Sequence, residues 1–184
     1  MSLKPGEGIS MKLGLIGLDD IGKGLSHKLR HQGKYEVWGY RKDYAKANED
    51  YESGHVDGIA TTIENLVKVI RKKKNGGDQP GVFLITSNEG EPLDELLRYC
   101  SEGDIIINYG HSHSENSWET EQRCSKFGIP YINCTVSSDI HDMGNGYGFM
   151  VIGGDTAVTT CKSIFNSIGK WKFTTKHTQL NYIG

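Results

Sequence analysis

The sequence predicts a doubly wound α/β domain with a mostly parallel sheet, and three observations predict it. Short apolar runs alternate with amphipathic segments along the whole 184-residue chain. Several runs are apolar at consecutive positions, as a strand covered on both faces requires. A glycine turn, GLDDIG, joins the first run to the first helical segment.

The strand candidates, in order, are KLGLIG (12–17), YEVWGY (35–40), GIATT (58–62), GVFLIT (81–86), DIIIN (104–108), PYINCTV (130–136), GFMVIGG (148–154) and KWKFTT (170–175). Between the third and fourth, Ile63, Leu66, Val67 and Ile70 recur at helical spacing, as do Leu93, Leu96 and Leu97 after the fourth. Pro92 suits the first turn of the latter helix. The basic stretch RKKKN (71–75) reads as a solvated helix end, where cations complement the helix dipole. The expected organisation is a leader over 1–10 ahead of a second start at Met11, one dinucleotide-fold domain over 11–175, and a tail over 176–184.

Bulk properties narrow the function. The net charge of −2 gives no electrostatic footprint for nucleic acid, and no apolar run approaches a membrane span. The cysteines Cys100, Cys124, Cys134 and Cys161 form no CxxC pair, so they read as reduced thiols of a cytoplasmic protein.

The turn Gly17-Leu18-Asp19-Asp20-Ile21-Gly22 has two glycines of the dinucleotide fingerprint G-x-G-x-x-G, with Asp19 at the middle one. Gly17 allows the tight turn and Gly22 close helix–strand packing; both also fit a turn with no ligand. The second strand ends in GYRKD. An acid at that tip would take the ribose hydroxyls of NAD, whereas cations accommodate the 2′-phosphate of NADP. Arg41 and Lys42 therefore favour NADP, the alternative being two exposed cations at a strand end.

These residues resemble a known family. GLIGLDDIGKGLSHKLRHQGKYEVWGYRK is similar to the start of 6-phosphogluconate dehydrogenases and the wider β-hydroxyacid dehydrogenases, which begin G-L-x-x-M-G and continue through a helix to a strand ending in Asn-Arg or Asp-Arg. EGDIIINYGHSHSENS (102–117) resembles the family's GDIIIDGGNSHYxDS, and residues 128–155 resemble GIxFLDxGxSGGxxGAxxGYxLMxGGD. EGEPLDELL (89–97) resembles the loop and helix after the fourth strand. The likeness runs in order from Met11 to about Thr175.

The resemblance implies a Rossmann-like NADP-binding domain of an enzyme that oxidises and decarboxylates 6-phosphogluconate, with a helical C-terminal domain supplying dimerisation and much of the substrate site. It implies that Gly17, Leu18, Ile21 and Gly22 form the cofactor turn, that Arg41 and Lys42 hold the 2′-phosphate, and that Ser87 lies near the pyrophosphate. Ser112 and Ser137 would face nicotinamide and substrate, a phosphorylated sugar acid. The departures are specific. His111 replaces an asparagine, and Ser138 and Asp139 replace two glycines. The catalytic-lysine motif G-x-G-H-x-x-K-M-x-x-N-G has no counterpart in KHTQLNYIG (176–184). Asp19, Asp20, Glu89 and Asp139 bring negative charge to a site for anions; at an effective dielectric near 20, like charges about 4–6 Å apart repel by roughly 3–4 kcal/mol before screening. The competing expectation is a catalytically silent domain that binds a protein partner.

His111, His113, Asp139, His141 and Asp142 offer nitrogen and oxygen donors from two loops. They read as polar loop residues, with a divalent-metal site as the alternative. A Ser-His-Asp hydrolase is excluded by the absence of a G-x-S-x-G elbow. Trp38, Trp118 and Trp171 are too dispersed for a stacking platform.

Overall fold

The structure, a computed structural model, describes residues 11–86, 92–110, 117–136 and 148–174. All eight predicted strand runs form strands of one sheet: β1 (Lys12–Ile16), β2 (Glu36–Tyr40), β3 (Gly58–Ile59), β4 (Val82–Ile85), β5 (Ile105–Gly110), β6 (Tyr131–Val136), β7 (Phe149–Ile152) and β8 (Trp171–Thr174). Their spatial order is β3-β2-β1-β4-β5-β6-β7-β8. The first six are parallel; β7 runs antiparallel to β6, and β8 runs parallel to β7.

The helices among the described residues are α1 (Asp20–His31), α2 (Tyr44–Glu52), α3 (Ile63–Arg71), α4 (Pro92–Tyr99), α5 (Ser117–Ser125), α6 (Asp155–Thr160) and α7 (Lys162–Ile168). Their apolar stripes divide between the two faces of the sheet. Leu25 and Leu29 of α1 pack with Ile164, Phe165 and Ile168 of α7 over Leu13, Leu15, Val37 and Leu84. On the other face Leu66 and Ile70 of α3, Leu96 of α4 and Cys124 of α5 cover Ile16, Phe83 and Ile106. The consecutive apolar residues of β1, β4 and β5 thus supply both cores, which is why these strands carry no polar alternation.

Helix starts follow local chemistry. Thr62 caps α3 by accepting from the Asn65 amide at 3.1 Å, and Asp43 caps α2 by accepting from the Lys46 amide at 3.2 Å. Pro92 opens α4, as its chemistry predicts.

One expectation needs correction. The basic end of α3 is not wholly solvated: the Arg71 guanidinium donates to the Asp104 carboxylate at 2.8 Å, and Asp104 is completely buried. Asp104 also accepts from the Gly81 and Ser101 amides, each at 2.7 Å. A cation in a run of cations carries no sequence sign that it is partnered, because its acid lies 33 residues away. The tryptophans stay dispersed: Trp118 is exposed, Trp38 packs on the second core, and Trp171 packs against Phe165 with its ring tilted by 57°.

Candidate functional site

Crossovers from β1 lead one way along the sheet and those from β4 the other, so the carboxyl ends of these adjacent strands form the crevice where ligands bind in doubly wound folds. Gly17 follows β1 there with a φ of 105°, a backbone conformation that side chains disfavour. A Cβ on Gly22 would lie 2.1 Å from the Gly17 carbonyl oxygen, so only glycine permits this approach of α1 to the turn. Thr86, at the end of β4, locks the pair: its hydroxyl donates to the Gly17 carbonyl at 3.0 Å, and its amide to the Ile16 carbonyl at 2.9 Å. Leu18 is buried, its methyl groups lying against Gly39 and so anchoring the turn to β2. Its side chain is therefore committed to packing. Ile21 is half-buried in the first turn of α1.

Asp19 is the N-cap of α1. Its Oδ1 accepts from the Gly22 amide at 2.9 Å, while Asp20 begins the helix and is exposed. The carboxylate at the middle-glycine position is thus drawn back onto its own helix. It satisfies one of the orphan donors of the first turn, and the Asp20 and Ile21 amides of that turn have no intrahelical acceptor.

Arg41 leaves the tip of β2 and reaches back over this turn. One guanidinium nitrogen lies 3.0 Å from Oδ2 of Asp50 and 3.5 Å, a long contact, from the Leu18 carbonyl. Asp50, on α2, has a side chain only 6% exposed, and its other oxygen accepts from Lys23 Nζ of α1 at 2.8 Å. Burial alone would push this carboxyl up, but hydrogen bonds and charge from Lys23 and Arg41 outweigh it and hold Asp50 below its ordinary range. Lys42 is exposed beside Arg41. Asp43, the first acid after β2, is committed to capping α2.

The structure therefore brings Gly17, Leu18, Ile21, Gly22 and Arg41 to one crevice, with Lys42 at its rim. Ser87, Ser112, Ser137, and the histidines and aspartates His111, His113, Asp139, His141 and Asp142 lie outside the described residues, as does Glu89. Among the described residues no cluster of three metal-ligating side chains occurs. Lys23 and Asp50 also belong to the site, though no motif in the sequence marks them. Asp50 stands in the polar helix YAKANEDYE and looks solvated; the one available signal is its i+3 spacing from the buried Ala47.

A glycine-locked turn at the switch point, an open helix start and cations at the β2 tip define the class: a dinucleotide-binding α/β domain. The groups present fit such a cofactor, because the Gly17–Gly22 contact leaves the turn without side-chain bulk at either glycine. The family model for the NAD binding domain of 6-phosphogluconate dehydrogenase matches residues 12–184, and the chain belongs to this family. It is 32% identical over 164 residues to the decarboxylating 6-phosphogluconate dehydrogenase of Chlamydia trachomatis, covering 85% of this chain and 32% of that enzyme. Against the Candida albicans enzyme it is 30% identical over 163 residues, covering 85% of this chain and 30% of the enzyme. The chain thus spans about a third of the length of these curated relatives.

Solved structures share the fold. A 3-hydroxyisobutyrate dehydrogenase from Salmonella typhimurium superposes with a TM-score of 0.68 at 14% identity, over 90% of this chain and 56% of its own. An imine reductase from Myxococcus stipitatus in complex with NADP+ gives 0.69 at 16% identity, over 93% and 58%.

Proposed function

We propose that this chain is the NADP-binding domain, over residues 11–175, of a 6-phosphogluconate dehydrogenase-like oxidoreductase. Arg41 and Lys42 select the 2′-phosphate, and the Gly17–Gly22 turn takes the pyrophosphate. The observation that carries the reading is the tip of β2. Two cations stand there, and the nearest following acid, Asp43, is turned to the Lys46 amide of α2. The match to the family's NAD binding domain supports a nicotinamide dinucleotide, and the NADP+ complex of the imine reductase supports NADP.

NADP, when bound, supplies a hydride acceptor. The chain's own part is to hold it: the amides of the first turn of α1 donate to the pyrophosphate, and Arg41 and Lys42 bind the 2′-phosphate. The family resemblance assigns Ser87 to the phosphates, and Ser112 and Ser137 to the nicotinamide and a phosphorylated sugar acid. Hydride removal and decarboxylation need a general base and acid, and the family's lysine motif is not found in this sequence. A partner chain that supplies the base would complete the site of a cytoplasmic enzyme. A second reading, a silent dinucleotide fold serving as a protein-interaction module, is favoured by the Asp19 and Asp20 carboxylates at the helix start.

The test is calorimetry with the double variant Arg41→Ala, Lys42→Ala. Loss of at least about two decades of NADPH affinity with little change for NADH supports the assignment. Equal loss for both cofactors contradicts it.

A further inference from the structure

The Lys23–Asp50–Arg41 cluster joins three elements at the mouth of the crevice. Asp50 is nearly enclosed, with its side chain 6% exposed, whereas the Lys23 and Arg41 side chains are 32% and 27% exposed. Each cation holds a different oxygen of the one carboxylate: Lys23 on Oδ1 at 2.8 Å, Arg41 on Oδ2 at 3.0 Å. Two cations sharing one anion leave a net charge of plus one, and the two charges that reach solvent are both positive.

This arrangement decides what Arg41 offers a ligand. With Asp50 to itself, Arg41 would sit in a neutral, bidentate pair, the geometry guanidinium and carboxylate favour. Lys23 takes one oxygen, so Arg41 contacts Asp50 through one nitrogen and retains donors for a second anion. That guanidinium lies over the turn, 3.5 Å from the Leu18 carbonyl oxygen.

We infer that Lys23 is a specificity-determining positioning residue: by sharing Asp50 with Arg41 it keeps Arg41 charged toward the crevice and available to a 2′-phosphate, and so sets the preference for NADPH over NADH. This rests on the cofactor assignment above. Lys23 acts through Asp50, and it stands in the first two turns of α1 on a chain position the fingerprint leaves unspecified.

The experiment titrates the full chain and its Lys23→Gln, Lys23→Met and Lys23→Arg variants with NADPH and NADH, with thermal melts alongside. Lys23→Gln and Lys23→Met should lower the NADPH/NADH affinity ratio about tenfold, with NADH affinity held within about twofold, and Lys23→Arg should restore most of the ratio. Added salt should narrow the gap between the wild type and Lys23→Gln for NADPH but not for NADH. A merely structural lysine would move both cofactors together and track the melting temperature. A wild-type preference for NADPH that Lys23→Gln and Lys23→Met leave unchanged overturns this inference alone. Failure of the wild-type chain to prefer NADPH overturns it together with the assignment of the 2′-phosphate to Arg41 and Lys42.

Discussion

Asp19→Asn separates the two effects of the residue at the middle-glycine position. Asn caps helices as well as Asp does, so the 2.9 Å bond from the Gly22 amide survives and the fold is kept. What changes is one negative charge at the start of α1. A pyrophosphate on the Asp20 and Ile21 amides would lie about 4–6 Å from that carboxylate, where the repulsion is roughly 1 kcal/mol in water and 3–4 kcal/mol at an effective dielectric of 20. Asp19 is exposed, which places it toward the watery limit, and its bond to the helix offsets part of its charge. A gain of about 1–1.5 kcal/mol follows, or about tenfold in NADPH affinity, shrinking as salt is added. Isothermal titration at low and moderate ionic strength reads this directly. Unchanged or weaker affinity in Asp19→Asn, with an unchanged melting temperature, would place the pyrophosphate away from this carboxylate.

Gly22→Ala should destabilise by about 3 kcal/mol or more, lowering the melting temperature by about 6–12 °C, because the new Cβ meets the Gly17 carbonyl at 2.1 Å and backbone must shift. Asp104→Ala strands Arg71 and two amides beside a buried site; a loss of about 3–5 kcal/mol in urea unfolding is expected, and a loss under about 1 kcal/mol would show that water replaces the carboxylate freely. The Asp50 carboxyl is held below its ordinary value near 3.8, so the folded state binds its proton less readily than the unfolded chain. Its stabilising contribution is full above that value and disappears as pH falls through the lower, folded one. The melting-temperature gap between the wild type and Asp50→Asn should therefore be constant near neutrality and narrow below about pH 4; a gap independent of pH contradicts the triad.

Much of the fold was legible because burial on both faces leaves a simple trace. LGLI, VFLI and III are apolar at every step, and no amphipathic helix or one-faced strand produces that run. The two-residue β3 was also marked, by the apolar pair Ile59-Ala60 after Gly58. The reversed direction of β7 and β8 was not, since antiparallel and parallel strands of similar burial share composition. At the site, Gly17 and Gly22 were readable because their backbone constraints admit little else. The destination of charged side chains was not readable: Arg41, Lys23 and Asp50 meet through the packing of α1 and α2 beside β2, and Arg71 finds Asp104 across the sheet's opposite end. Asp19 shows the same limit in one residue. Its position spoke of a repelled phosphate, while its geometry makes it the cap of the helix that would bind one.

The crevice at Gly17–Gly22, with Arg41 and Lys42, is proposed as a working NADP site. Calorimetric titration of the unmodified chain with NADPH and with NADH tests it most directly. NADPH should bind in the micromolar range and NADH at least about two decades weaker, the worth of the two charge-assisted contacts of Arg41 and Lys42 to the 2′-phosphate. No heat from either cofactor at millimolar concentration would contradict it and leave the fold as a binding module for another protein.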